Sequence, residues 1–153
     1  MLMKRAAEGR ADFWILSDSG KDVGIAYVIR RDKLVYLFYL AIDRLYRGSG
    51  YGTQAVKLIL EQYSGCRVFL ALEELDPKAD NYEQRVKRHD FYLKCGLVDM
   101  PYKLKEVSVI HDIMGTGGVV EPEEYKAMID AWMGWPLKHL FDMRIIKTTY
   151  GIL

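Results

Sequence analysis

Residues 39–60, YLAIDRLYRGSGYGTQAVKLIL, change character twice. An apolar, β-forming run ends at Ile42. Gly48, Gly50 and Gly52 then crowd into five positions, and the chain turns apolar again with Ala55, Val56, Ile59, Leu60 and Tyr63 at helical spacing. Residues 34–42, LVYLFYLAI, are nearly all apolar and suit a central strand buried on both faces. Glycines between such a strand and a helix either make a turn or keep the backbone clear for something that approaches it closely.

Working outward, residues 13–16 are a short apolar run closed by the turn cluster SDSGKD, and residues 23–29, VGIAYVI, read as a strand followed by the turn RRDK. With residues 34–42 these form an antiparallel meander. The helix over about residues 50–63 stops at Gly65, and residues 68–72 form a further buried strand ending in Glu73 and Glu74. Strand, helix, strand in that order predicts a parallel pair joined by a right-handed crossover. LDPKAD is a loop, a second helix runs over about residues 81–94 to Gly96, and residues 102–114 hold two strands. GTGG, from Gly115 to Gly118, reads as a turn. A helix over residues 122–133 opens with Pro122, Glu123 and Glu124 and ends at Gly134. Residues 136–150 fit helix and strand equally. No repeat or linker interrupts the chain, so one domain over residues 1–153 is expected.

The 153 residues carry 22 basic and 21 acidic side chains and are 50% hydrophobic, the composition of an ordinary globular domain. A net charge of +1 gives no footprint for nucleic acid or an anionic membrane. No apolar run is long enough to span a bilayer, and MLMKRAAEGR lacks the apolar centre of a signal peptide. Cys66 and Cys95 match no metal or redox spacing, so they are expected as reduced thiols in the cytoplasm, with no metal site.

Two nucleotide motifs fail on residues 46–53. A P-loop needs Gly-Lys-Ser/Thr after its fourth spacer residue, and a dinucleotide fingerprint needs a third glycine where Thr53 stands. A helix N-terminus with small side chains, Arg47, the Thr53 hydroxyl and no acid between Tyr46 and Leu60 remains. That combination accepts a phosphate group, and it equally suits a tight turn. GTGG is the control: Glu121, Glu123 and Glu124 follow it and would repel a phosphate.

Arg47-Gly48-Ser49-Gly50-Tyr51-Gly52 resembles the R/Q-x-x-G-x-G/A signature of the GNAT superfamily of N-acetyltransferases, in its usual place between a central strand and a helix. Further on, FYLKCGL (residues 91–97) is similar to the family's second signature at the end of a helix. The resemblance runs over about residues 13–114. It implies a mixed α/β (α+β), mostly antiparallel central sheet flanked by helices, with a parallel strand pair beside a coenzyme A site.

The resemblance further implies that backbone amides from Arg47 through Gly48, Ser49, Gly50, Tyr51, Gly52 and Thr53 hold the pyrophosphate of acetyl-CoA. Leu40, Ala41 and Ile42 would pair with its pantetheine arm. An acceptor amine attacks the thioester directly, and an amide near Leu40 polarises the carbonyl. Tyr92 stands at the place of the family's general acid. Its plainer role is an aromatic ring packed on the sheet. Glu73 and Glu74 are candidates for the general base, and strand alternation brings at most one of them to a given cleft. His89 and His111 read more simply as structural or surface residues.

Two departures stand out. Many members carry an asparagine where Arg85 stands, and Asn81 lies about one helical turn earlier. Arg85, Arg88 and Tyr92 share a helix face, so Arg85 or Arg88 is a candidate for a coenzyme A phosphate. The alternative is a solvated face paired with Glu83 or Asp90. Only about a dozen residues precede Phe13, which predicts a shortened N-terminal helical region. Trp132, Trp135, Phe141 and several methionines near the C-terminus read as core, with an acceptor wall or a homodimer face as alternatives. The expected activity is acetyl transfer to an amine of a small molecule, peptide or protein. A non-catalytic acyl-CoA-binding domain of the same fold is the alternative.

Overall fold

The computed structural model describes residues 9–134 and 143–147. They hold seven strands and three α-helices. The chain divides into two compact units, Met1–Val68 and Phe69–Leu153.

The first unit is a meander of β1 (Ala11–Asp18), β2 (Lys21–Arg31) and β3 (Leu34–Ile42), followed by a 3-10 turn (Arg44–Tyr46) and helix α1 (Tyr51–Gln62). Ser19 and Gly20 join β1 to β2 with φ of 51° and 77°. Two consecutive left-handed residues match the right-handed twist of a two-residue hairpin. Ala26, Val28 and Val35 of the strands are at most 1% exposed, and α1 turns Ala55, Val56 and Ile59 inward. The Arg67 amide at the start of β4 (Arg67–Glu73) donates to the Lys33 carbonyl just before β3, at 2.9 Å. Both strands therefore begin together and run parallel, as strand, helix, strand predicts.

β3 departs from its expected burial on both faces. Leu34, Val35, Tyr36 and Leu37 are buried, but Phe38 and Tyr39 are 39% and 50% exposed. The cause is a bulge: Tyr27 pairs with Tyr39 and Val28 with Leu37, which leaves Phe38 as the extra residue. The strand bends there, and its last residues, Leu40, Ala41 and Ile42, are half-buried.

The second unit holds the rest of β4, α2 (Tyr82–Lys94), β5 (Val98–Glu106), β6 (Val109–Thr116), α3 (Pro122–Met133) and β7 (Met143–Lys147). β5 lies between β6 and β7, antiparallel to both. Its register with β6 breaks after Asp99, around Pro101, which has no amide to give a ladder. Phe69, Leu104, Met114 and Met128 form the core, and the Tyr125 ring lies 5.3 Å from that of Phe69. α3 starts at a capping box between Glu121 and Glu124, with Pro122 in the first turn. Gly115 and Thr116 of the GTGG stretch continue β6, and Gly117 and Gly118 make the turn at φ of 84° and 126°. Of the ambiguous C-terminal stretch, residues 143–147 are a strand; Trp135 and Phe141 lie outside the described residues.

The fold is mixed α/β, and its strand pairing is mostly antiparallel with one parallel pair. Among the described residues no helix is long and apolar enough to cross a membrane.

Candidate functional site

In the first unit the glycine stretch forms an open cradle. Asp43 ends β3 and accepts the Leu45 amide at 2.8 Å, which starts the 3-10 turn. Gly48 and Gly50 then reverse the chain at φ of 79° and 83°, with nothing within 4 Å of where a Cβ would stand. The first backbone bond of α1 runs from the Gln54 amide to the Gly50 carbonyl, at 3.1 Å. The amides of Tyr51, Gly52 and Thr53 thus have no acceptor inside the helix. Among the described residues no side chain caps them, and the first turn holds no acid. Positive helix dipole, free donors and empty space together fit a phosphate group.

Three side chains shape this cradle. Arg47 Nε donates back to the Ile42 carbonyl at 3.1 Å, so the loop's own arginine takes one strand-end acceptor. The Tyr51 hydroxyl donates to Asp18 Oδ2 at 2.7 Å, which ties α1 to the tip of the β1–β2 hairpin. That bond raises the Tyr51 pKa and lowers that of Asp18. Ser49 and Thr53 are exposed. Beside the end of β3 lies a cavity of about 400 Å³, lined in part by Gly24, Ile25, Ala41, Ile42, Asp43 and Arg47. Gly24 is required there, because a Cβ would stand 2.4 Å from the Ala41 carbonyl oxygen.

The second unit brings Glu73, Arg85 and Arg88 together. Arg85 donates to Asn81 Oδ1 at 2.7 Å, to the Glu74 carbonyl at 2.8 Å and to Glu73 Oε1 at 3.3 Å. Its side chain is only 17% exposed, so it ties α2 to the end of β4. Arg88 reaches Glu73 at 3.7 Å and is 47% exposed, leaving its guanidinium much freer. Glu74 receives Lys103 at 3.2 Å, and Lys103 also meets Asp112 at 3.0 Å. Burial opposes the Lys103 charge, but Asp112 and Glu74 outweigh it and raise its pKa. Asp112 in turn accepts the Leu75 amide at 3.2 Å.

Tyr92 is 8% exposed on α2, and burial pushes its phenol up to about 12, with Arg88 working against that rise and Cys95 adding to it. The hydroxyl therefore holds its proton through the neutral range and is able to donate it. His89 meets Asp99 at 2.8 Å, and His111 is turned toward Glu106 at 3.8 Å. Among the described residues no group of three or more His, Cys, Asp or Glu is placed to hold a metal ion.

These features agree with the comparisons to known proteins. The family model for an acetyltransferase (GNAT) domain matches residues 9–97. The chain belongs to the GNAT acetyltransferase family. A GNAT-family protein from Bacteroides thetaiotaomicron superposes with a TM-score of 0.63 at 18% identity, over 90% of this chain and 75% of its own. An aminoglycoside 6'-N-acetyltransferase complexed with coenzyme A gives 0.58 at 16% identity, over 78% of this chain and 79% of its own. The ribosomal-protein-S18-alanine N-acetyltransferase of Escherichia coli gives 0.58 at 17% identity with the same coverage. At these identities the likeness is one of fold. A search of curated proteins found no match.

Sequence reasoning missed the tie made by Arg85. Its pairing with Asn81 four residues earlier is a visible helix spacing, but Glu73 and the Glu74 carbonyl come from a distant strand. It also passed over Gly24, whose only local signal was a glycine inside a strand pattern.

Proposed function

We propose that this GNAT protein transfers the acetyl group of acetyl-CoA to a primary amine of a small molecule, peptide or protein, with no acyl-enzyme. The observation that most supports this reading is the N-terminus of α1 behind two left-handed glycines, with no side-chain cap and no acid in its first turn. Acetyl-CoA supplies an activated acyl group: the amine nitrogen bonds to the carbonyl carbon, the C–S bond breaks, and coenzyme A leaves as a thiolate.

The chain's residues divide the remaining tasks. The amides from Arg47 to Thr53 hold the pyrophosphate. Leu40 and Ala41 offer backbone to the pantetheine arm, and the Leu40 amide stabilises charge growing on the carbonyl oxygen. Ile42 shares its carbonyl with Arg47. Tyr92 gives its proton to the departing sulfur. Glu73 or Glu74 takes the proton of the amine. Arg88, with its weak and long ion pair, is better suited to a coenzyme A phosphate than Arg85, whose donors are already engaged.

The aminoglycoside and ribosomal-protein relatives are named for amine acceptors, which supports an amine here. Free Cys66 and Cys95 suit a cytoplasmic setting. Calorimetry with acetyl-CoA and a thiol-release assay over an amine panel test the reading. Saturable binding and amine-dependent thiol release are expected. Absence of binding at sub-millimolar acetyl-CoA refutes it, and binding without turnover on any amine favours a non-catalytic acyl-CoA-binding domain instead.

A further inference from the structure

We propose that the cavity beside the end of β3 binds a free α-amino acid with an apolar side chain, with Asp22 and Asp43 facing its amine and Arg44 and Arg47 its carboxylate. The inference stands apart from acetyl transfer, because it concerns binding to the chain alone.

Strand register gives the cavity its floor. Phe13 pairs with Tyr27, Ile15 with Ile25, Tyr27 with Tyr39 and Ile25 with Ala41, so Phe13, Ile15, Ile25 and Ala41 share one face of the meander. Trp14 lies on the other face, where its ring is 6.0 Å from that of Tyr63 at the end of α1. Phe13 and Ile15 are 36% and 59% exposed. Apolar surface left open in this way favours an apolar ligand group.

The same register supplies the charges. β1 and β2 slip after Leu16: Leu16 pairs with Gly24 and Ser17 with Asp22, which leaves Val23 as the extra residue. The slip turns Asp22 onto the face of Ile15, and its carboxylate accepts the Ser17 hydroxyl at 2.7 Å. Asp43 follows Ala41 by two positions and accepts the Leu45 amide at 2.8 Å. Each carboxylate keeps one oxygen with no partner among the described residues. Arg47 engages only its Nε, on the Ile42 carbonyl at 3.1 Å, and Arg44 makes no hydrogen bond or ion pair among the described residues.

Two aspartates and two arginines thus line one cavity of about 400 Å³, and among the described residues no ion pair joins them. Charges of both signs held apart around an apolar floor match a ligand that carries both signs next to an apolar group. An α-amino acid does so. A plain amine leaves the guanidiniums unmatched, and a plain carboxylate meets two aspartates. The cavity's size lies within the range of small-molecule sites, about 300–1,000 Å³.

The test is calorimetry with L-leucine on the chain without acetyl-CoA. Saturable binding is expected. Isoamylamine and isocaproate, which each lack one charged group of leucine, and glycine, which lacks its side chain, are expected to bind about tenfold more weakly. Asp22→Asn and Arg44→Gln, at exposed positions outside the proposed acetyl-CoA machinery, are each expected to weaken leucine about tenfold. In the unmodified chain leucine should shift the amide NMR signals of Ile25 and Ala41, a measurement that needs no variant. Absence of leucine binding up to millimolar concentration overturns the proposal. So does isoamylamine or isocaproate binding as tightly as leucine, a folded pair of variants that both match the parent, or unmoved signals at Ile25 and Ala41.

Discussion

Replacing Gly50 with valine separates the backbone cost of the loop from its role as a cradle. At φ of 83° with nothing within 4 Å of its Cβ position, Gly50 is held by backbone conformation alone. A Cβ there meets none of the described residues beyond its chain neighbours, so the stability loss is that of a left-handed L-residue, about 1–2 kcal/mol. In a chain of this size that lowers Tm by about 2–4 °C per kcal/mol. If the loop relaxes to escape the strain, the binding-competent conformer falls by about 5–30-fold, and the apparent Kd for acetyl-CoA rises by the same factor. The valine methyls add to this by covering the amides of Tyr51 and Gly52. Gly50→Asn is the control, since asparagine tolerates the left-handed region and isolates the covering effect. Ser49→Ala should change neither quantity. Calorimetry on folded protein, with Tm measured alongside, reads both. A folded Gly50→Val variant that binds acetyl-CoA as tightly as the parent refutes the cradle.

Tyr92→Phe is expected to slow turnover with little change in acetyl-CoA affinity; unchanged turnover with chemistry rate-limiting removes Tyr92 from the reaction. The raised Tyr92 phenol stabilises the fold fully below the unfolded value near pH 10, and that contribution is lost as pH rises through about 12, on the order of 3 kcal/mol. Tyr92→Phe should flatten this alkaline decline in denaturant titrations, and an unaltered slope would show that burial of this phenol is not its source. Arg85→Ala should cost about 1.5–3 kcal/mol of stability by breaking charged hydrogen bonds, whereas Arg88→Ala should cost under about 1 kcal/mol and narrow the preference for coenzyme A over dephospho-coenzyme A. Equal effects of the two variants on both measurements would contradict the division of labour drawn here. Gly24→Ala should destabilise by about 1–3 kcal/mol through the Ala41 carbonyl, which a urea midpoint reads directly.

Element types were legible wherever local pattern and tertiary environment agree. The apolar run of β3, the helical spacing of α1 and the asymmetric ends of α3 all appear where periodicity puts them. Lengths were less legible. β1 extends from Ala11 to Asp18 rather than over its apolar centre, because Asp12 meets Arg30 and Ser17 meets Asp22 across the hairpin. The exposure of Phe38 and Tyr39 depends on a bulge, a property of how two strands register that a single strand does not announce. In the candidate site, the glycine turn before α1 was local and therefore readable. Partners of Glu73 and Glu74 come from α2 and β5, so the sequence suggested Glu83 or Asp90 for the arginines where the structure supplies Glu73.

The hydrogen bond from Tyr51 to Asp18 joins the first residue of the cradle helix to a hairpin tip 33 positions earlier. It makes the tip an antenna. The Tyr51 ring also makes an edge contact with Tyr46, at 6.1 Å, so both ends of the glycine loop are linked through one ring to one surface carboxylate. A fluorine label on Tyr51 or a dye at exposed Ser19 would therefore signal events at the loop without touching it, which offers a way to screen for ligands before any substrate is identified.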